Sequence, residues 1–348
     1  MFTSTARRWR TAAAIAATAT VLAACSGGGA SDVAGAGKKD AETTLNLVAY
    51  AVPEPGWSKI IPAFEATPAG KDLTVTTSYG ASGDQSRAVA DGKPADLVNF
   101  SVEPDVTRLV KANKVAADWN ADVTKGIPFG SVVSLVVRKG NPKNIKGWDD
   151  LLQPGIEVVT PSPLSSGSAK WNLLAPYAFK SNGGQDQQAG LDYIGKLVTE
   201  HVKTRPGSGR EATDVFLQGT GDVLISYENE AINIKRQGAQ KGDVAVEYIN
   251  PAQTFKIENP VAVVTTSAHA DKAAALKNFL FTPEGQKIWA EAGFRPVDPA
   301  VASDFAKDFP TPEKLWTIAD LGGWKTVDSA LFDKENGAIT TIYKKATG

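Results

Sequence analysis

From residue 45 onward the chain alternates short apolar runs with polar, glycine-rich turns. Leu45-Asn46-Leu47-Val48-Ala49-Tyr50 predicts a strand, 73–78 a second with alternating character, and 95–100 a short third. Helices fit between them: 58–65, with prolines just ahead where a missing N–H costs little, then 86–91, then 102–113 with Val106, Leu109 and Val110 on one face. Residues 131–138 (Ser-Val-Val-Ser-Leu-Val-Val-Arg) read as a buried, β-branched strand. A short helix at 148–152, a strand at 156–160 and a helix over 171–179 follow, then helices at 191–202 and 212–218. Strands at 222–227 and 244–248, a crossing at 259–265 and helices at 273–280 and 283–292 come after these. Strands alternating with helices predict an α/β fold with parallel sheets, whose ligand-binding turns gather at the strands' carboxyl ends.

Three of those strand-to-helix turns share one chemistry. Ser165-Ser166-Gly167-Ser168 follows a strand and opens a helix; Tyr79-Gly80-Ala81-Ser82-Gly83 and Arg205-Pro206-Gly207-Ser208-Gly209 stand at equivalent points. Small residues at a helix start leave backbone N–H groups unobstructed, with the positive end of the helix dipole behind them, which suits a closely approaching anion. The alternative is that Ser166 only caps its helix, since Ser is a preferred N-cap. Tyr227 ends a fourth strand, so the turns and this phenol describe one pocket of backbone amides and hydroxyls between two lobes.

Arg7, Arg8 and Arg10 precede an apolar run at 11–24, too short to span a bilayer, that closes on Leu22-Ala23-Ala24-Cys25. That close resembles the bacterial lipoprotein signal, which implies export through the general secretory route, removal of residues 1–24 and acylation of Cys25. Cys25 is the only cysteine, so no disulfide can form within the chain. Residues 25–43 then read as a flexible tether to the membrane. The remaining length, about 300 residues, exceeds what one core usually covers and predicts two lobes. Lys plus Arg (37) nearly balance Asp plus Glu (38), which argues against a nucleic-acid partner or a polybasic membrane surface.

Taken together, Tyr79-Gly80-Ala81-Ser82-Gly83, the run 137–143, Ser165 through Asn172, Gly221 through Glu230 and Pro283-Glu284-Gly285-Gln286 resemble the bacterial sulfate-binding proteins, solute receptors of sulfate or thiosulfate ABC importers. The resemblance runs from about residue 45 to 299. It implies a two-lobe, periplasmic-binding-protein-like fold (type II) with the ligand in the interlobe cleft. Lobe 1 would hold 44–130 and 260–348, lobe 2 131–259, and the tail 300–348 would lie on lobe 1 with Leu315, Trp316 and Trp324 packing down. It carries anion contacts onto Ala51, Ser82, Ser166, Gly167, Ser168, Gly209 and Tyr227. Ala51 stands where an aspartate is typical, but the contact there is a backbone N–H. Ser168 replaces a glycine, so its hydroxyl is either an extra ligand or a crowding group. Tyr227 replaces the tryptophan of many relatives; phenol and indole both donate, but the phenol also accepts. The implied ligand is sulfate or thiosulfate, with molybdate or tungstate as the alternative. The implied partners are permease subunits and, through lipid, the membrane; the protein would act as a monomer without cofactor or metal.

A pocket for a dianion that carries no proton needs donors and no carboxylate, and the carried-over positions contain no Asp or Glu. The rival class is a Ser-dependent hydrolase. It lacks a base, because the two histidines, His201 and His269, stand outside the glycine-rich turns and read as solvated. The chain also has no nucleophile-elbow spacing, no dinucleotide fingerprint and no phosphate-loop Lys-Ser/Thr, so an importer's ATPase would be another protein. Glu228 and Glu230 fall on different helix faces and read as capping, hinge or partner contacts.

Overall fold

The structure, a computed structural model, describes residues 43–241 and 245–347. Its first elements are β1 (Thr43–Tyr50), α1 (Glu54–Glu65), β2 (Leu73–Gly80), α2 (Ser82–Ala90), β3 (Leu97–Asn99) and α3 (Glu103–Lys111). Next come β4 (Phe129–Arg138), β5 (Val158–Val159), α4 (Gly167–Lys180), α5 (Gln187–Lys196), β6 (Val202–Thr204), α6 (Gly209–Leu217), β7 (Val223–Tyr227) and α7 (Glu228–Lys241). The rest is β8 (Val246–Ile249), β9 (Gln253–Glu258), β10 (Val261–Val263), α8 (Ala270–Phe279), α9 (Pro283–Glu291), β11 (Arg295–Pro296), α10 (Pro299–Asp304), β12 (Lys314–Trp316), α11 (Gly323–Val327) and α12 (Ala338–Thr347).

The strands form two sheets. In the first, ordered β10-β3-β1-β2, β1 runs parallel to β2 and β3, and β10 closes the edge antiparallel. The two-residue period of β1 sends Leu45, Leu47 and Ala49 to a core with Trp57, Phe64 and Trp289. Val48 goes to the opposite core with Val98, Phe100, Val106 and Leu109. Burial on both faces is why this sheet reads as near-continuous apolar runs. The second sheet follows β12-β9-β4-β7-β5-β6, with β8 and β11 also on β4. Its β5 is parallel to β6 and β7, whereas β4 is antiparallel to β7, β8 and β9. β4 is the common spine, and it starts with Phe129 in the first sheet's core and continues with Val133, Leu135 and Val137 in the second's.

Three readings of the sequence change. β9 was not foreseen, because Gln253, Lys256 and Glu258 dilute it; yet Phe255 and Ile257 are core residues and Thr254 donates to the Val133 carbonyl at 2.6 Å. The C-terminal segment does not lie on the first sheet. Trp316, Trp324, Leu331, Phe332, Ile339 and Tyr343 join the core built on α4 and β4, with Trp324 edge-on to Trp171 at 4.7 Å. The driving force is the apolar face of α4 (Trp171, Leu173, Leu174), which would otherwise remain open to water. His201 is buried rather than solvated, its Nδ1 bonded to the Ile156 carbonyl at 2.9 Å, while His269 is exposed. No helix of the described residues is long and apolar enough to cross a membrane. Cys25 and the rest of the expected signal lie outside the described residues, as does most of the tether.

Candidate functional site

Three helices begin where the small-residue turns were read: α2 at Ser82, α4 at Gly167 and α6 at Gly209. Each start follows an extended residue (Ala81, Ser166 and Ser208), so the first amides of each helix have no intrahelical acceptor. Ser208 behaves as a cap, accepting from Glu211 N at 3.2 Å. Ser166 does not. It holds the N-cap position with no side-chain capping bond, which leaves its buried hydroxyl for another role.

The turns meet. A Cβ built on Gly167 would lie 2.8 Å from Ser101 Cβ and 3.2 Å from Ser82 Cβ, so the start of α4 abuts the turns after β2 and β3. The Gly83 N–H donates to the Ser165 carbonyl at 3.2 Å and ties α2 to the same turn. A Cβ on Gly209 would come within 3.0 Å of both Ser168 Oγ and Val52, which brings the third turn against α4 and the Ala51-Val52 bend. Absence of a side chain at Gly167 and Gly209 is therefore what lets these backbones converge. Ser82, Ser166, Ser168 and Tyr227 are buried at 4 % exposure or less, so water is excluded where the helix ends point.

Tyr227 closes the group. Its phenol and the Ser101 hydroxyl are 2.8 Å apart, and the Ser168 and Asn259 side chains lie close to it. Burial raises the Tyr227 phenol well above its ordinary value, partly offset by the polar side chains of Ser101, Ser168 and Asn259 around it. Burial raises Tyr50 as well, followed by repulsion from Tyr227 and Glu230. Both rings stay protonated at neutral pH, so Tyr227 retains a proton to donate. Ser82 Oγ donates to Asp105 Oδ2 at 2.6 Å, and Arg108 holds the other Asp105 oxygen at 2.8 Å. Ala51 is buried beside the group, but its N–H already donates to the Gly80 carbonyl at 3.1 Å. On the outer side of the α4 turn lies a cleft of about 610 Å³ walled by Ser166, Gly167, Arg87, Arg108 and Lys170 among others, where Arg87 pairs with Asp84, Arg108 with Asp105 and Lys170 with Asp328.

The structure thus brings Ser82, Ser166, Gly167, Ser168, Gly209 and Tyr227 together, with Ala51 at the margin. Sequence reasoning missed Ser101, Asn259 and Asp105. Ser101 was within reach, since it follows the third strand-like run at the same carboxyl-end position as the other turns. Asp105 shows no signature until α3 is packed on α2. Glu228 and Glu230, read as capping, hinge or partner groups, are buried. Glu228 is forked by Arg295 at 2.6 and 2.9 Å, and Glu230 lies 3.0 Å from Arg210, next to Gly209. Burial raises the Glu230 carboxyl, Asp214 and Glu54 add to the shift, and Arg210 and Thr213 oppose it.

Among known proteins, a family described as "Bacterial extracellular solute-binding protein" matches residues 45–295. A sulfate-binding protein of Synechococcus elongatus is 38 % identical over 97 % of this chain and 99 % of its own. A thiosulfate-binding protein of Pseudomonas aeruginosa is 33 % identical over 87 % of this chain and 92 % of its own. Among solved structures, the sulfate-binding protein SubI of Mycobacterium tuberculosis is 71 % identical and superposes with a TM-score of 0.81, covering 84 % of this chain and all of that one.

Proposed function

The chain belongs to the bacterial extracellular solute-binding protein family, and on that footing we propose that it is the receptor that captures sulfate outside the cell and delivers it to an ABC importer. One observation carries this reading: three helix N-termini and one protonated, buried phenol converge on a single dry site. The amides of Ser82, Gly167, Ser168 and Gly209, the Ser166 hydroxyl and the Tyr227 phenol form a donor set fitted to a tetrahedral dianion. The Gly83 amide of α2 and the Glu211 amide of α6 are taken by the Ser165 carbonyl and the Ser208 hydroxyl. Partial charges at the helix ends supply the positive potential, so no cation has to touch the ligand. Closure over the anion brings the turns of β1 to β3 against those of β5 to β7, and the ligand is the link between them. Ala51 contributes an amide only if its bond to Gly80 opens, which makes it the weakest of the carried-over contacts.

Thiosulfate is the second ligand we propose, in line with the Pseudomonas relative; the names of these relatives give molybdate and tungstate no comparable support. The lobes divide at β4 and at the β9–β10 junction, with residues 44–130 on one side and 131–259 on the other. The chain beyond residue 260 returns to the first before its tail docks on the second. Such a receptor works as a monomer, uses no cofactor, performs no chemistry on its ligand, and is held to the membrane by lipid on Cys25. Isothermal titration of desalted protein with sodium sulfate tests the proposal: one sulfate per chain is expected in the parent, with a tenfold or greater loss in Ser166→Ala. A parent that takes up no sulfate refutes it.

A further inference from the structure

Tyr227 brings a difficulty that an indole would not. A phenol oxygen carries lone pairs, and a lone pair turned into a site for an unprotonated dianion would repel that dianion and welcome a protonated one. Ser101 stands where this can be corrected. It is fully buried just beyond the end of β3, and its backbone is fixed on every side. Its N–H donates to Ser82 Oγ at 2.9 Å, and its carbonyl accepts from the Trp171 indole at 2.8 Å and from Asn259 Nδ2 at 2.9 Å. A Cβ added at Gly167 would lie 2.8 Å from its Cβ, so the start of α4 packs closely on it. With the main chain held this way, the Ser101 hydroxyl has one partner among the described residues, the Tyr227 phenol at 2.8 Å.

We propose that Ser101 is a positioning and specificity-determining residue: its hydroxyl donates to the Tyr227 oxygen, occupies the lone pair and leaves the phenol proton for the bound oxyanion. The direction follows from inventory. Each hydroxyl has a single proton; among the described residues Ser101 Oγ meets no acceptor besides the Tyr227 oxygen, whereas the Tyr227 phenol also has the Ser168 side chain and the start of α4 beside it. The chain Ser101 to Tyr227 to anion is then polarised in one sense, and each bond strengthens the next. The result is a tyrosine that acts as a donor only, as an indole would. Discrimination against hydrogen phosphate is thereby kept, because the proton of that anion finds no acceptor on Tyr227.

This proposal rests on the receptor reading, and the test separates the two. Sulfate and phosphate affinities are measured by calorimetry near neutral pH for the parent, Ser101→Ala, Ser101→Thr, Tyr227→Phe and the Tyr227→Phe/Ser101→Ala double variant. Ser101→Ala is expected to lower the sulfate-to-phosphate affinity ratio about tenfold, the order of one hydrogen bond to a charged network. Ser101→Thr should keep the parental ratio, and in the Tyr227→Phe background Ser101→Ala should not change it. If Ser101→Ala does not fold, Ser101→Cys, nearly isosteric and a weak donor, should lower the ratio about threefold. A parental ratio in whichever of these two variants is measured overturns the proposal, as does an equal loss for both anions, the mark of a purely structural role. A parent that binds no sulfate overturns the receptor reading itself.

Discussion

Gly167→Ala places one methyl group where two turns of the site meet. A Cβ there lies 2.8 Å from Ser101 Cβ, 3.1 Å from Ser101 Oγ and 3.2 Å from Ser82 Cβ, while unstrained carbon contacts sit at about 3.5–4.0 Å. The neighbours cannot give easily, because the Ser101 main chain is bonded to Ser82, Trp171 and Asn259. Relief comes from parting the α4 turn from the turns after β2 and β3, which on the proposed receptor reading is also the motion that would open the site. Overpacking of this kind costs roughly 1–3 kcal/mol. Assigned to the closed, liganded state, that is about a fivefold to 150-fold rise in Kd. Folding itself should suffer less, since replacing Gly by Ala within a helix is worth roughly 0.5–1 kcal/mol in the stabilising direction. The assay is calorimetric titration with sulfate beside a thermal melt of unliganded protein. Parental affinity would refute the reasoning, because the methyl would then not be at the closing contact. So would a collapse of the unliganded melt, because the strain would then be a folding cost.

Tyr227→Phe removes a buried donor to an anion and should weaken sulfate binding about tenfold to hundredfold, from ~1.5–3 kcal/mol, with the fold intact by circular dichroism. Glu230→Gln reports on the buried carboxyl. Its folded pKa is raised, by burial first, so the parent should lose stability relative to the variant as pH climbs from the ordinary carboxylate range through that raised value; melts across a pH series read this, and parallel curves would refute it. Trp324→Ala should cost ~3–5 kcal/mol by opening the interface with Trp171, seen as a large fall in Tm, whereas a change of a degree or two would mean the tail is dispensable. Cys25→Ser should leave sulfate binding unchanged and abolish partition into detergent; retained partition would exclude the lipid anchor.

Much of the fold was legible because its signals are local. β1, β2, β4 and β7 carry enough apolar or β-branched residues to be read directly, and the starts of α2, α4 and α6 are marked by small residues that only a helix entry explains. The bounds drifted where a helix begins with small or polar residues: α1, α2 and α4 each start four residues before the predicted stretch, at Glu54, Ser82 and Gly167, and α6 starts three before, at Gly209. β9 escaped because its core residues alternate with charge, and the tail because its partner, the apolar face of α4, lies more than a hundred residues away in sequence. At the site, residues that act through their own turn could be found from the sequence. Those that act through a neighbour could not. The Ser82 hydroxyl meets a carboxylate at Asp105, and the Tyr227 phenol meets Ser101, only after α3 and β7 have been packed, and neither pairing leaves a spacing to read.

The central claim is that this chain holds a fully deprotonated tetrahedral anion through the helix starts at Ser82, Gly167 and Gly209, with Ser166 and Tyr227. Competition calorimetry on the desalted protein tests it most directly, with sulfate titrated alone and then after saturation with thiosulfate, molybdate, tungstate or phosphate. The account predicts one sulfate per chain, displaced by thiosulfate and left in place by hydrogen phosphate. Absence of sulfate binding, or phosphate that displaces sulfate as readily as thiosulfate does, would contradict it.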